Sequence, residues 1–475
     1  MRDATRIRKE FDTFGQAHVF QGFDQLSATD QERLLTQAST VNLPKLHQLI
    51  ATLVKSRSTP FNKDQLTLQT TPYIARPENG GSQTAWDTAR RRGEGALHAG
   101  KVAAVTVAGG QGTRLGVDGP KGALPITPVT GKPLFQVFAE KILAAQQRYK
   151  QTVPWLIMTS PMNHRATLDF FKEHHYFGLE PSTVHSFTQR QMPVVDFQGR
   201  ILCENPHTLA FSPDGHGGLF QALLDSGLLD HLRSTGIELL SYFQVDNPLV
   251  HCIDPAFIGF HIEAGSDLSS KAILKTDPNE KVGLFCQRGD RLAVVEYIDI
   301  APEQAAQRDS SGRLKHRTGN PAIHLLSCDF IDETARTEAL PFHRAEKNLP
   351  QLNSQGRPIT PHQPNAIQFE RFLFDALAFA RNPVLVESKR TEEFSPVKNA
   401  LGPKSPETCK RDQLRLFYRW AQAAGVHLPS GKGGLPAFPF EISPLFAEDE
   451  AIFVEKWYKL VPKPVFKEGM VLEAS

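Results

Sequence analysis

Residues 104–126, AVTVAGGQGTRLGVDGPKGALPI, set Arg114 and Lys121 among Gly109, Gly110, Gly112, Gly116, Gly119 and Gly122 directly after an apolar run. Without a Cβ, successive glycines let backbone N–H groups turn toward one concave surface and approach an anion closely. Two positive charges in the same loop add counter-charge, so the chemistry on offer is the binding of a polyphosphate. The spacing departs from two familiar phosphate loops. The dinucleotide fingerprint GxGxxG finds Gly110 and Gly112 but meets Leu115 at its third glycine, and GxxxxGK[ST] fails because Lys121 follows Pro120 and precedes Gly122. What remains is AGGQGTRLG followed by GPKG, with Pro120 stiffening the chain beside the lysine.

A loop of this kind needs a strand to aim it, because ligands of open α/β sheets sit beyond the C-terminal ends of the strands. Short apolar runs bounded by turn residues recur from Lys101 onward: VAAVTVA, VPWLIMTS, ELLSYFQVDN and then KAILK, GLFCQ and AVVEYIDI. Between the first three lie helix-like segments, LFQVFAEKILAAQQRYK and LFQALLDSGLLDHLRSTG. This alternation predicts an α/β fold with a doubly wound, mainly parallel sheet. Three consecutive parts are expected: a helical N-terminal region over 1–97, the α/β core over 98–385 and a small Pro- and Gly-punctuated C-terminal domain over 386–475. The run Arg90, Arg91, Arg92 reads as a solvated helix face.

Composition narrows the class. A chain of 475 residues is too long for one core. Its 53 Lys and Arg nearly balance 51 Asp and Glu, so no global field exists for nucleic acid or an anionic membrane, and neither is an expected partner. Any anion site must be local. Cys203, Cys252, Cys286, Cys328 and Cys409 form no CxxC pair, which disfavours structural zinc and a disulfide scaffold. The charged N-terminus lacks the apolar core of a secretory signal, and no apolar run approaches the roughly 20 residues needed to span a bilayer. A cytoplasmic monomer or weak homo-oligomer is expected.

The glycine loop resembles that of sugar-nucleotide pyrophosphorylases. Collinear segments extend the resemblance to eukaryotic-type UDP-N-acetylhexosamine pyrophosphorylases, within the UTP-dependent sugar-1-phosphate uridylyltransferases: MTSPMNHRATLDFFKEHHYFGL, SPDGHGGLFQAL, QVDNPLVHCIDPAFIGF, KVGLFCQRGDRLAVVEYIDI, GNPAIH, QPNAIQFERFLFDALAFA and EEFSPVKNALG, over roughly residues 100–402. The resemblance implies a Rossmann-like, GT-A-type nucleotidyltransferase core. It implies UTP and a sugar 1-phosphate as substrates, with Mg²⁺ as cofactor.

Roles carry over where residues match. The resemblance implies that Ala108, Gly109, Gly110, Gln111, Gly112 and Thr113 bind UTP together with Gly215 and with Gln189, which would read the uracil. Arg114, Lys121 and Lys398 would meet the phosphates as catalytic cations. Asp246, at the end of an apolar run, would sit at the metal; by itself, Asp-Asn-Pro is also good turn chemistry. His216, Glu296, Asn320, Phe372 and Phe374 would line the sugar. His216 stands where the acetylhexosamine enzymes usually carry Asn, and Gly-His-Gly is closer to UDP-glucose and broad UDP-sugar pyrophosphorylases. Phe372 and Phe374 point the other way, to an acetylated sugar, so the glucose or galactose alternative stays open. Two readings of other classes also stand: a nucleotide-sugar-binding regulator without turnover, and a nicotinamide dehydrogenase, already weakened by Leu115.

Overall fold

The computed structural model describes residues 3–56, 68–352, 358–359 and 361–473. The apolar runs become a 10-stranded mixed sheet. Its strands are β1 Val102–Val107, β2 Trp155–Thr159, β3 Val184–Thr188, β4 Leu239–Gln244, β5 Leu268–Leu274, β6 Leu284–Arg288, β7 Arg291–Val295, β8 Thr318–Gly319, β9 His324–Ser327 and β10 Val384–Glu387. The order is β7-β6-β8-β5-β9-β4-β1-β2-β3, with β10 also paired to β5. Strands β4, β1, β2 and β3 are parallel, with Ala104 opposite both Trp155 and Ser241. Strand β9 then runs antiparallel between β4 and β5, and β6, β7 and β8 add antiparallel pairs. The parallel half carries the glycine loop. The helices Leu134–Tyr149 and His164–Glu173 follow β1 and β2, and this crossover connection is what parallel neighbours require.

The sequence of β1, almost uniformly apolar, is explained by burial on both faces. Phe135, Phe138, Trp155, Phe171, Phe243 and Phe257 belong to the core around it. The Trp155 indole in this core is satisfied, its Nε1 donating to Thr106 Oγ1 at 2.8 Å. The polar helix expected near residue 90 spans Gln83–His98 and packs on Pro255–Ala264 with almost no gap. A Cβ at Gly93 would lie 1.8 Å from the Pro255 carbonyl oxygen, and one at Gly259 only 1.7 Å from that of Ala89. Arg90, Arg91 and Arg92 lie on its exposed side.

Contacts divide the chain into two units. One comprises Met1–Leu66, Gln189–Gln221 and Glu338–Asp375, and the other Thr67–Thr188, Ala222–Thr337 and Ala376–Ser475. This division cuts across the boundaries read from composition at 97 and 385. Its physical reason lies in the first unit's core. The apolar faces of Ala4–Thr13, Ala28–Ala38 and Leu43–Leu49 are covered by Val195, Ile201, Leu209, Phe342, Ile367 and Phe369, residues distant in sequence. Within the second unit, the C-terminal residues have an aromatic cluster of their own, including Trp420, Phe440, Phe453 and Trp457. Among the described residues no helix is long and apolar enough to cross a membrane.

Candidate functional site

Beyond β1 the chain folds back on itself in a compact double turn. Gly112 N donates to Gly119 O at 2.9 Å, Lys121 N to Gly110 O at 3.2 Å and Val117 N to Gly112 O at 3.2 Å. Two short helical turns, Thr113–Leu115 and Lys121–Ala123, sit in this frame, the second entered through Pro120. Gly122 has to be glycine, because a Cβ there would lie 2.1 Å from the buried Phe135 ring. Among the described residues, the amides of Gly109, Gly110 and Gln111 have no hydrogen-bond partner. Consecutive amides left open in a glycine turn are donors that an anion can accept from. Ala108 follows the strand, buried, and Thr113 is exposed. Arg114 lies in the first helical turn, and its side chain is outside the described part of the structure.

At the end of β4, Asp246 faces this loop. Its Oδ2 is 3.5 Å from Lys121 Nζ and 3.8 Å from Lys398 Nζ. Three sequence-predicted residues separated by more than a hundred positions therefore meet at one carboxylate. Lys398 arrives because Val397 N donates to Asp246 O at 2.8 Å, while Asn247 accepts from Ser395 N at 3.0 Å and donates from Nδ2 to Glu393 O at 2.7 Å. The Asp-Asn turn is thus both a carboxylate holder and a docking strip for residues 393–398. Among the described residues Asp246 Oδ1 has no hydrogen-bond partner, so it is available to a hard cation that also binds phosphate oxygens.

Also in this unit, Glu296 and Asn320 lie to either side of Gly283. Asn320 N donates to Gly283 O at 2.8 Å, and a Cβ on Gly283 would come within 3.3 Å of Glu296 Oε1. Glu296 follows β7 rather than lying on a strand face, so its carboxylate belongs to a turn. Asn320 Oδ1 accepts from Ala322 N at 2.8 Å.

The other unit holds the remaining candidates. Gln189 is buried. Gly215 and His216 belong to a loop clamped on Arg371–Leu373: Arg371 N donates to Asp214 O at 2.7 Å, Gly217 N to Arg371 O at 2.8 Å and Leu373 N to His216 Nδ1 at 3.1 Å. Because Nδ1 accepts a backbone proton, the neutral imidazole carries its own proton on Nε2. His216 stacks on Phe372 at 5.5 Å between ring centroids, Phe372 on Phe374 at 5.1 Å, and His343 on Phe372 at 4.7 Å. Beneath them Asp214 and Arg371 form a buried ion pair. Burial pushes the Asp214 carboxyl up, and Arg371 offsets part of that rise.

Sequence reasoning missed Asn163 and His343. Asn163, 1% exposed, donates from Nδ2 to Ala108 O at 2.8 Å and Gly110 O at 3.2 Å, while its Oδ1 accepts from Ser160 N at 2.9 Å. It pins the start of the glycine loop. Its position just after β2, the neighbour of β1, was the available signal. His343 reaches the rings from a different strand, and nothing local marks it. Among the described residues, one cluster has metal-ligand composition, His251, Asp254 and Glu393. It does not fit a divalent cation, because the Lys271 ammonium already lies 2.6 Å from Asp254 and 2.5 Å from Glu393.

Comparison with known proteins bears on this arrangement. A family model described as UTP–glucose-1-phosphate uridylyltransferase matches residues 73–402. UDP-N-acetylhexosamine pyrophosphorylase-like protein 1 of Xenopus tropicalis is 36% identical over 468 residues, covering 92% of this chain and 91% of that protein. UDP-N-acetylglucosamine pyrophosphorylase of Saccharomyces cerevisiae is 36% identical over 445 residues, 90% of this chain and 93% of that protein. A crystal structure of the uridine diphosphate N-acetylglucosamine pyrophosphorylase from Trypanosoma brucei superposes with a TM-score of 0.80 at 27% identity, covering 100% of this chain and 99% of that one.

Proposed function

Since the chain belongs to the UTP–glucose-1-phosphate uridylyltransferase family, we propose that it joins UTP and N-acetylglucosamine 1-phosphate to give UDP-N-acetylglucosamine and pyrophosphate. The chain is a nucleotidyltransferase. The acetylated sugar is supported by the names of the similar proteins, and neither a glucose-specific enzyme nor an inactive regulator is favoured by them. The observation that carries the reading is the meeting of Lys121, Lys398 and Asp246 beside a glycine loop with open amides.

One phosphate oxygen of the sugar 1-phosphate attacks the α-phosphorus of UTP in line. A new P–O bond forms, the bond to the β-phosphate breaks and its electron pair leaves with pyrophosphate. The attacking oxygen is ionised at neutral pH, since the second phosphate pKa is near 6, so no strong general base is required. The barrier is the approach of two polyanions. In this reading the amides of Gly109, Gly110 and Gln111 donate to the triphosphate, and Arg114, Lys121 and Lys398 offset its charge. Asp246 would hold Mg²⁺ through a carboxylate oxygen, and the ion would supply charge neutralisation at the phosphates. Gln189 and Gly215 would contact the nucleotide, while Glu296, Asn320, His216, Phe372 and Phe374 would contact the sugar. His216 would do so as a donor through Nε2.

Purified protein supplied with UTP, Mg²⁺ and, in turn, N-acetylglucosamine, N-acetylgalactosamine, glucose and galactose 1-phosphates tests this by pyrophosphate release. Turnover should be fastest with the N-acetylglucosamine substrate and should reverse when UDP-sugar and pyrophosphate are supplied. Preference for glucose or galactose would reassign the sugar, and silence with all four would end the reading.

A further inference from the structure

Lys271, in the middle of β5, has a side chain only 2% exposed, where an ammonium group is costly unless paired. Its Nζ lies 2.6 Å from Asp254 Oδ2 and 2.5 Å from Glu393 Oε2. Burial by itself would lower the lysine's pKa, yet the two carboxylates outweigh it and hold the group above its ordinary value. Buried ion clusters are often replaceable by apolar residues of like volume without loss of stability, so stability is a weak reason for this one. Its connections supply a better reason. Both Glu393 oxygens are held, Oε2 by Lys271 and Oε1 by Ser388 Oγ at 2.9 Å. The main-chain oxygen of the same residue accepts from Asn247 Nδ2 at 2.7 Å, Asn247 Oδ1 accepts from Ser395 N at 3.0 Å, and Asp246 O accepts from Val397 N at 2.8 Å. Residues 393–398 are thereby zipped in one register onto Asp246–Asn247. The Lys398 side chain is 54% exposed and its ion pair is long. Its place is set by the backbone beneath it.

We propose that Glu393, gripped by Lys271 and Ser388, is a positioning residue that acts through Lys398, setting where this lysine meets the triphosphate. The inference rests on the reaction proposed above. Glu393→Gln keeps shape and main-chain carbonyl and removes the charge that Lys271 holds. The test is a cycle of four forms, wild type, Glu393→Gln, Lys398→Ala and the double variant, with kcat and KM for UTP measured for each. Glu393→Gln should lower kcat about tenfold in the wild-type background and less than about twofold when Lys398 is already Ala. A purely structural role lowers both backgrounds by the same factor, and that result overturns the inference. Wild-type kcat in either single variant overturns it too. If Glu393→Gln fails to fold, Ser388→Ala loosens the same carboxylate through Oε1, and the same non-additivity is required of it. A wild type that releases no pyrophosphate is a different result, which removes the reaction and the inference together.

Discussion

Lys121 shows how much chemistry one side chain can carry. It is largely buried, follows Pro120 and points its ammonium at Asp246 from 3.5 Å, a distance too long for a hydrogen bond and apt for a charge awaiting an anion. Lys121→Ala should therefore lower kcat by about a hundredfold or more, with the thermal midpoint close to that of the parent. Steady-state pyrophosphate release and a thermal melt check both halves, and near-normal turnover would remove Lys121 from the mechanism. At this scale the sequence was most legible for Lys121, Asp246 and Lys398, whose flanking residues match a known pattern and which the structure brings to one point. It was least legible for His343. A histidine on a mainly polar strand carries no local mark of the rings it stacks on, because the contact to Phe372 spans residues far apart in the chain.

Among the elements, the strand-and-loop unit of β1 is the part that read most directly, since apolar continuity, glycines and Pro120 are all local properties. Its rigidity is not local. Asn163, from the segment after β2, holds the carbonyls of Ala108 and Gly110, so the loop's shape depends on the neighbouring strand's register. Asn163→Ala leaves the buried Ala108 carbonyl and the Ser160 amide without partners, a cost of about 2–4 kcal/mol in stability, and KM for UTP should rise roughly tenfold. Urea denaturation and initial rates at varied UTP test this, and an unchanged KM would show that the loop holds itself. The segment LFQALLDSGLLDHLRSTG, expected as helix, is helical in two pieces, Leu219–Asp225 and Leu228–Ser234. Gly227 at φ 69° caps the first and starts the second, a break that the Ser-Gly pair signalled.

For the molecule as a whole, stability should depend on pH through His261. Burial lowers its pKa from 6.5 to about 4, with Asp267 opposing, and its Nδ1 meets Ser269 Oγ at 2.8 Å. The unfolded chain takes up this proton below about 6.5 and the folded one only near 4, so the stabilisation is present above 6.5 and lost as pH falls through that window. Between pH 7 and pH 5 the group should cost on the order of 2 kcal/mol. His261→Gln should show a smaller drop in thermal midpoint over that interval than the parent, and equal drops would refute the assignment. By itself, the sequence determined the alternation of strands and helices and the glycine turn that follows the first strand, because hydrophobic period, glycine and proline act over a few residues. Tertiary structure alone decided that segments near residues 1–56, 190–220 and 340–375 share one core. It alone decided, too, that a lysine from residue 398 stands beside an aspartate from 246. Both depend on which apolar faces cover one another and which backbone groups find partners, and those choices are made only when distant parts of the chain meet.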